Sequence, residues 1–359
     1  MLSIEDFATV DLFCGVGGLT HGLIRKKIEV SAGVDFDASC KYAYEVNNKA
    51  KFLYKDITNL TAEELIALYP KGKRKILVGC APCQPFSIYN HKKAEHAAKT
   101  EDGKWNLLYS FGKLIDQTLP DIVSMENVPL LRKFNNGSVF NDFISILRKN
   151  NYSVEYQVVN AKDYGVPQRR RRLILLASRL GEIKLCAPTC NNGEYATVRD
   201  AIASLPAIEG GEIYKEDRLH YARKLGEKNL QRIRATKEGG SWKDWDDSLK
   251  LNCHQKESGI SFRSVYGRMS WDDVAPTMTT YCIGLGNGRF GHPSQDRAIS
   301  LREAALLQSF PADYDFIDPN TKFSSAVIAR QIGNAVPVGL GEAIAESIIR
   351  HIESINGEQ

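Results

Sequence analysis

The chain has 359 residues, 43% of them hydrophobic and 25% charged, which suits a globular protein with one large domain and a smaller one and rules out a disordered, fibrous or stapled miniature chain. A formal charge of +4 is compatible with a polyanionic partner but too small to establish one. No uncharged apolar run approaches the roughly 20 residues of a membrane-spanning helix, no signal-peptide or lipidation pattern is present, and the eight scattered cysteines are expected to be reduced, in a cytoplasmic compartment.

The first half alternates short apolar runs with amphipathic stretches. That pattern predicts an α/β fold: a doubly wound, mostly parallel sheet with helices on both faces. The first run, Ala8 to Phe13, leads through Asp11-Leu-Phe-Cys-Gly-Val-Gly-Gly18 into a stretch with Leu19, Leu23 and Ile28 on one face, giving a strand, a glycine turn and a helix start. Glycines let a ligand approach the backbone, and a helix start offers free N–H groups and positive potential. The second run, Val30 to Val34, ends at Asp35, 20 residues past Gly15, where a carboxylate can accept hydrogen bonds from a ribose. The full G-x-G-x-x-G spacing is absent. This points away from NAD or FAD and towards a nucleoside cofactor without pyrophosphate, although a turn used only for tight packing explains the glycines equally well.

A helix is expected over Thr61 to Tyr69, with Thr61 and Glu64 at capping-box spacing. The run Ile76 to Cys80 then meets Gly79-Cys-Ala-Pro-Cys-Gln-Pro-Phe-Ser87, which falls on the loop at the carboxyl end of a strand, where open α/β sheets bind ligands. Prolines on both sides of Cys83 stiffen that loop. Taken alone, Cys83 is open to three readings: a buried structural thiol, a redox or metal pair with Cys80, or a nucleophile.

Further along, Ile122 to Met125 ends in Glu126-Asn127-Val128, which puts a carboxylate on the same rim as Cys83 and favours the nucleophile. No metal is expected, because structural zinc normally needs four ligands and the next cysteines, Cys186 and Cys190, lie beyond the sheet pattern. Val139 to Leu147 reads as a helix, and Tyr152 to Val158 alternates as a half-buried strand does. Gln168-Arg-Arg-Arg-Arg172 leads into the run Leu173 to Ala177. If that strand extends back, Gln168, Arg170 and Arg172 share one face, aimed at the active rim, and Arg169 and Arg171 share the other.

After about Cys186 the alternation fades into a loop-rich module. Between Glu209 and Arg297 it carries 15 Lys/Arg against 13 Asp/Glu, so any specificity must come from shaped contacts rather than bulk charge. Two helices close the chain: Ser300 to Ser309, with a capping box of Ser300 and Glu303, and Val338 to Ile355.

Taken together, the motif blocks resemble those of the C5-cytosine-specific DNA methyltransferase family, of the bacterial modification type. They are Phe13-x-Gly-x-Gly-Gly18, Asp35-Phe36, Asp56-Ile57, Pro82-Cys-Gln-Pro-Phe-Ser87, Glu126-Asn-Val128, Gln168-x-Arg-x-Arg172, Arg302-Glu with Leu307-Gln-x-Phe-Pro311, and Gln331-Ile-Gly-Asn-Ala-Val-Pro337, in the family's order. The resemblance covers nearly the whole chain except the middle module. It implies a Rossmann-like class I S-adenosylmethionine-dependent methyltransferase fold with a smaller target-recognition domain. The implied divisions are 1–185 for catalysis and cofactor, 186–317 for target recognition and 318–359 returning to the catalytic domain.

By the same resemblance, S-adenosylmethionine would be held by Phe13, Gly15, Gly17, Gly18, Asp35, Phe36, Asp56, Ile57, Pro82 and Asn334. Asp35 departs from the glutamate the family more often has, which leaves its ribose contact the least secure of these. Catalysis would rest on Cys83 adding to C6 of cytosine, Glu126 acting at N3, and Arg170 and Arg172 fixing the carboxylate and favouring the thiolate. The implied partner is double-stranded DNA, with the target cytosine rotated out of the stack, in a restriction-modification setting with a cognate restriction endonuclease; one cleft needs one subunit, so a monomer is expected. Three rivals remain: a transfer-RNA cytosine-5 methyltransferase, a DNA-binding protein that keeps the fold without catalysis, and a thiol oxidoreductase built on Cys80 and Cys83.

Overall fold

A computed structural model describes residues 2–82, 106–190, 193–256 and 263–357. Cys83 and the rest of its block through Ser87 lie outside the described residues. The chain forms two compact units: residues 1–160, 171–188 and 336–359 make the first, and 161–170 with 189–335 make the second. The second unit thus takes in Ala161–Arg170 and continues past residue 317 to Ala335.

The first unit is built on β1 (Phe7–Leu12), α1 (Gly18–Arg25), β2 (Val30–Asp35), α2 (Lys41–Asn48), β3 (Lys51–Tyr54), α3 (Ala62–Ala67), β4 (Arg74–Gly79), α4 (Asn106–Thr118), β5 (Ile122–Asn127), α5 (Ser138–Lys149), β6 (Ser153–Asn160) and β7 (Arg171–Ser178). Their order across the seven-stranded sheet is β3-β2-β1-β4-β5-β7-β6. The five strands from β3 to β5 run parallel, and β7 pairs antiparallel with both β5 and β6. Strands β1 and β5 are buried throughout, as apolar runs covered by helices on both faces must be. Strand order reverses between β1 and its two neighbours, β2 and β4, so the carboxyl end of β1 is the switch point at which open α/β sheets bind ligands.

Local signals work as the residues suggest. Thr61 accepts from the Glu64 N–H while Glu64 returns a bond to the Thr61 N–H, which starts α3. Helix Val338–Gly357 lies against α1 at Gly22, where a Cβ would meet the Val338 carbonyl oxygen at 2.6 Å and the Glu342 nitrogen at 2.7 Å, so only glycine admits this backbone approach. The arginine run behaves differently from the expectation. β7 begins at Arg171, so Gln168 and Arg170 precede the strand and share no strand face with Arg172.

The second unit contains α6 (Val198–Ile202), β8 (Ile213–Tyr214) paired with β9 (Asp217–Tyr221), α7 (Glu227–Arg234), α8 (Leu301–Leu307) and α9 (Ser325–Asn334), joined by long irregular stretches. Its interior is partly polar: Arg297 and Glu303, each about 1% exposed, form a bidentate pair at 2.7 and 2.8 Å, and Glu303 also closes the capping box with Ser300. Among the described residues no helix is long and apolar enough to cross a membrane, no two cysteines form a disulfide, and no three His, Cys, Asp or Glu side chains are grouped as metal ligands.

Candidate active site

The loop after β1 is shaped by positive backbone angles. Phe13, Gly15 and Gly17 have φ of 61°, 52° and 87°, a region costly for Phe13 and natural for glycine. The Phe13 N–H donates to the Val34 carbonyl at 2.8 Å, tying the loop to β2. Helix α1 begins at Gly18 with Gly17 as its N-cap and no side-chain cap, so its first turn keeps N–H groups for a ligand. Among the described residues, a Cβ built on Gly15 would meet nothing within 4 Å.

Asp35 ends β2 directly opposite. Its Oδ2 accepts the Gly15 N–H at 2.9 Å and its Oδ1 accepts the Asp37 N–H at 2.8 Å. Burial pushes this carboxyl up, opposed by those two N–H donors. The neighbouring Phe36 ring is 62% exposed, an unusual state for a phenylalanine and one that offers an apolar face to a ligand. Asp56 is exposed at the start of a short turn, where its Oδ1 accepts the Thr58 N–H at 2.9 Å and hydroxyl at 2.8 Å. Ile57 beside it is buried. A glycine loop, a buried carboxylate with lone pairs to spare and an exposed aromatic fit a nucleoside-bearing cofactor in this unit.

Beneath the loop lies a carboxylate the sequence reading did not single out. Asp11 is buried, accepts the Thr20 hydroxyl at 2.7 Å, and belongs to a chain that continues to the Tyr44 hydroxyl 3.1 Å further on. Burial pushes its carboxyl from the ordinary 3.8 up to about 7, with the nearby Asp35 charge adding and the Thr20 bond opposing. A folded-state value above the unfolded one means the associated stability is fully present below the unfolded pKa and is lost as pH rises through the folded pKa. Between about pH 5 and about pH 8 the melting temperature is therefore expected to fall more steeply for the native chain than for Asp11→Asn, which keeps an acceptor for Thr20 and cannot ionise. Thermal melts across that range check this, and equal slopes for the two proteins would contradict it.

On the carboxyl edge of β5 stands Glu126, with a side chain 3% exposed. Across the antiparallel pair it faces Ile174, so Arg172, two residues before Ile174 and on the same face, is its diagonal neighbour. Arg172 Nε lies 2.8 Å from Glu126 Oε1, an ion pair without the alignment of a hydrogen bond, and among the described residues Oε1 has no other hydrogen-bond donor. Cys80 Sγ lies 2.7 Å from Glu126 Oε2 and donates to it. The next residue, Asn127, donates from Nδ2 to the Ala81 carbonyl at 3.1 Å, while the Cys80 N–H reaches the Leu12 carbonyl at 3.3 Å. The stem of the Pro82-to-Ser87 block is thereby bound to β1 on one side and β5 on the other. Pro82 is half-buried at its described end.

Three other blocks meet inside the second unit. Arg170 is buried and donates to the main-chain carbonyls of Met278 at 2.9 Å and of Gly333 and Ala335 at 3.2 Å each. Gln168 Nε2 donates to the Leu307 carbonyl and to Gln308 Oε1, its Oε1 accepts the Met278 N–H, and Gln308 Nε2 donates to the Ile332 carbonyl at 2.6 Å. Buried amides thus join the Gln168, Leu307 and Gln331 blocks, a structural use the motif spacing did not reveal. Asn334 is exposed at the carboxyl end of α9.

Residues 7–350 match the family model described as C-5 cytosine-specific DNA methylase. The chain is 53% identical over 352 residues to the Type II methylase M.HgiDII of Herpetosiphon aurantiacus, covering 98% of both proteins. It is 30% identical to the Type II methyltransferase M.PspPI of a Psychrobacter species, covering 98% of this chain and 80% of that one. Among solved structures, a prophage-encoded E. coli protein described as a DNA modification methyltransferase superposes with a TM-score of 0.74 at 21% identity, over 97% of this chain and 99% of the other, a likeness of fold.

Proposed function

This chain belongs to the C-5 cytosine-specific DNA methylase family and is a DNA cytosine-5 methyltransferase, and on that premise we propose how its residues carry the reaction. The observation that supports the reading most is the setting of Glu126: a buried carboxylate at the carboxyl edge of the sheet, charge-paired with Arg172 and with one oxygen that, among the described residues, has no hydrogen-bond donor.

Cytosine C5 is too weak a nucleophile to take a methyl group unaided. In this reading the Cys83 thiolate adds to C6 while Glu126, as the acid, hydrogen-bonds to or protonates N3, which stabilises the enamine and puts electron density on C5. S-adenosylmethionine, when bound, supplies the methyl as a sulfonium electrophile. After methylation the C5 proton leaves, Cys83 is expelled, and the aromatic ring returns.

Arg172 keeps the Glu126 carboxyl in place through the cycle. Arg170 takes a supporting part by clamping the Gly333 and Ala335 carbonyls. For the cofactor, Gly15, Gly17 and Gly18 give backbone access, Asp35 takes the ribose, Phe13 and Phe36 take the adenine faces, and Asp56 with Ile57 takes its edge. Pro82 and Asn334 join this set by family likeness alone.

Double-stranded DNA is the substrate, with the target base rotated out of the helix. The second unit is assigned to target recognition, the protein to a monomer in the cytoplasm, and the setting to restriction and modification with a cognate endonuclease. Transfer of labelled methyl to unmethylated genomic DNA and, in parallel, to total RNA, with base-resolution mapping, tests the reading. We expect 5-methylcytosine within one short DNA sequence. Label confined to RNA would contradict it.

A further inference from the structure

We propose that Cys80 is a positioning residue for this reaction: its thiol donates to Oε2 of Glu126 and so holds the orientation of the carboxyl that acts at N3. The inference rests on Glu126 acting at N3, as proposed above.

The two oxygens of Glu126 are in different situations. Oε2 is taken by the Cys80 thiol at 2.7 Å. Oε1 has the Arg172 charge at 2.8 Å but, among the described residues, no aligned donor. The thiol bond engages Oε2, so the carboxyl cannot turn without losing it.

The thiol is also held where it is needed. The Cys80 backbone is bound to the end of β1 through its N–H, and Ala81 is bound to β5 through the Asn127 amide. Two residues, Ala81 and Pro82, separate Cys80 from Cys83 in sequence, so the loop stem that leads to the nucleophile also orients the acid. A buried carboxylate with a lone ion-pair partner could pivot about that one contact. A second contact on the other oxygen removes the rotation, and small misplacements of a reacting group are costly in rate.

Single-turnover methyl transfer with Cys80→Ala, Cys80→Ser, Glu126→Gln and the Cys80→Ala/Glu126→Gln double variant tests this. Cys80→Ala is expected to lower the methyl-transfer rate about tenfold, the low end for a hydrogen bond to a charged group because the donor is a thiol, with KM for DNA and for S-adenosylmethionine unchanged. Cys80→Ser, whose hydroxyl is a donor, is expected to recover most of the rate. In the double variant Cys80→Ala should add nothing beyond Glu126→Gln, since its effect passes through the carboxyl. A native rate for Cys80→Ala, a serine variant as slow as the alanine one, or full additivity with Glu126→Gln would each overturn the proposal. Cys83→Ser run alongside separates the two levels. If it still transfers methyl, the covalent reading fails and this inference with it; if it is inactive while Cys80→Ala is normal, only the role of Cys80 falls.

Discussion

Replacing Cys83 with serine is expected to abolish methyl transfer, by roughly 10³-fold or more, while DNA binding in the presence of S-adenosylmethionine survives. The size of the effect follows from the chemistry. A cysteine has an appreciable thiolate fraction near neutral pH and leaves readily from a β-position, whereas a serine hydroxyl is neither ionised nor polarisable enough to add to C6. Cys80, the thiol three positions before Cys83, is engaged with Glu126. Single-turnover rates and binding measured on the same preparation check this, and a serine variant within tenfold of the native rate would remove the covalent step from the account.

Glu126→Gln is expected to slow methyl transfer by roughly 10² to 10⁴, the range for loss of a positioned acid. Glutamine keeps the shape and an oxygen beside Arg172, but it has no acidic proton to lend to N3. Its second effect is on stability, because the Arg172 side chain, 11% exposed, loses its counter-charge. Removing one partner of a buried pair costs up to about 3–5 kcal/mol, and the retained amide should keep the loss below that. Measuring rate and melting temperature together distinguishes the two effects. A variant that melts lower yet transfers methyl at the native rate would show Glu126 to be structural.

The central strands were legible because they are buried on both faces. β1, β2, β4, β5 and β7 are mostly apolar runs, and the carboxyl ends of β1, β2, β4 and β5 carry Phe13, Asp35, Cys80 and Glu126. Strand β6 was legible for the opposite reason, since its alternating pattern is that of an edge strand with one face covered. β3, at the other edge, buries only Phe52 fully and left no comparable trace. The arginine run misled in one respect: periodicity alone extended β7 back to Gln168, whereas Gln168 and Arg170 turn into the second unit to satisfy main-chain carbonyls and amides.

The site was legible in its residue types and not in its contacts. Spacing could place Glu126 and Cys80 on one rim, but a bond between residues 46 apart in sequence depends on how β4 and β5 are staggered. The amide pair Gln168 and Gln308, 140 residues apart, was hidden for the same reason. Asp11 was passed over because a polar residue inside an apolar run reads as an interruption; its function as the buried acceptor for Thr20 emerges only once α1 is folded back over β1.

The most direct test of the account is to trap the covalent intermediate. A genomic DNA fragment made with 5-fluorocytosine in place of cytosine should be attacked and methylated, but fluorine cannot leave C5 as a proton does, so the enzyme stays bonded to C6. Mass spectrometry of the digested adduct is predicted to locate the DNA on Cys83, and only when S-adenosylmethionine is present. An adduct on Cys80, or turnover on ordinary DNA with no adduct on the fluorinated one, would contradict the mechanism.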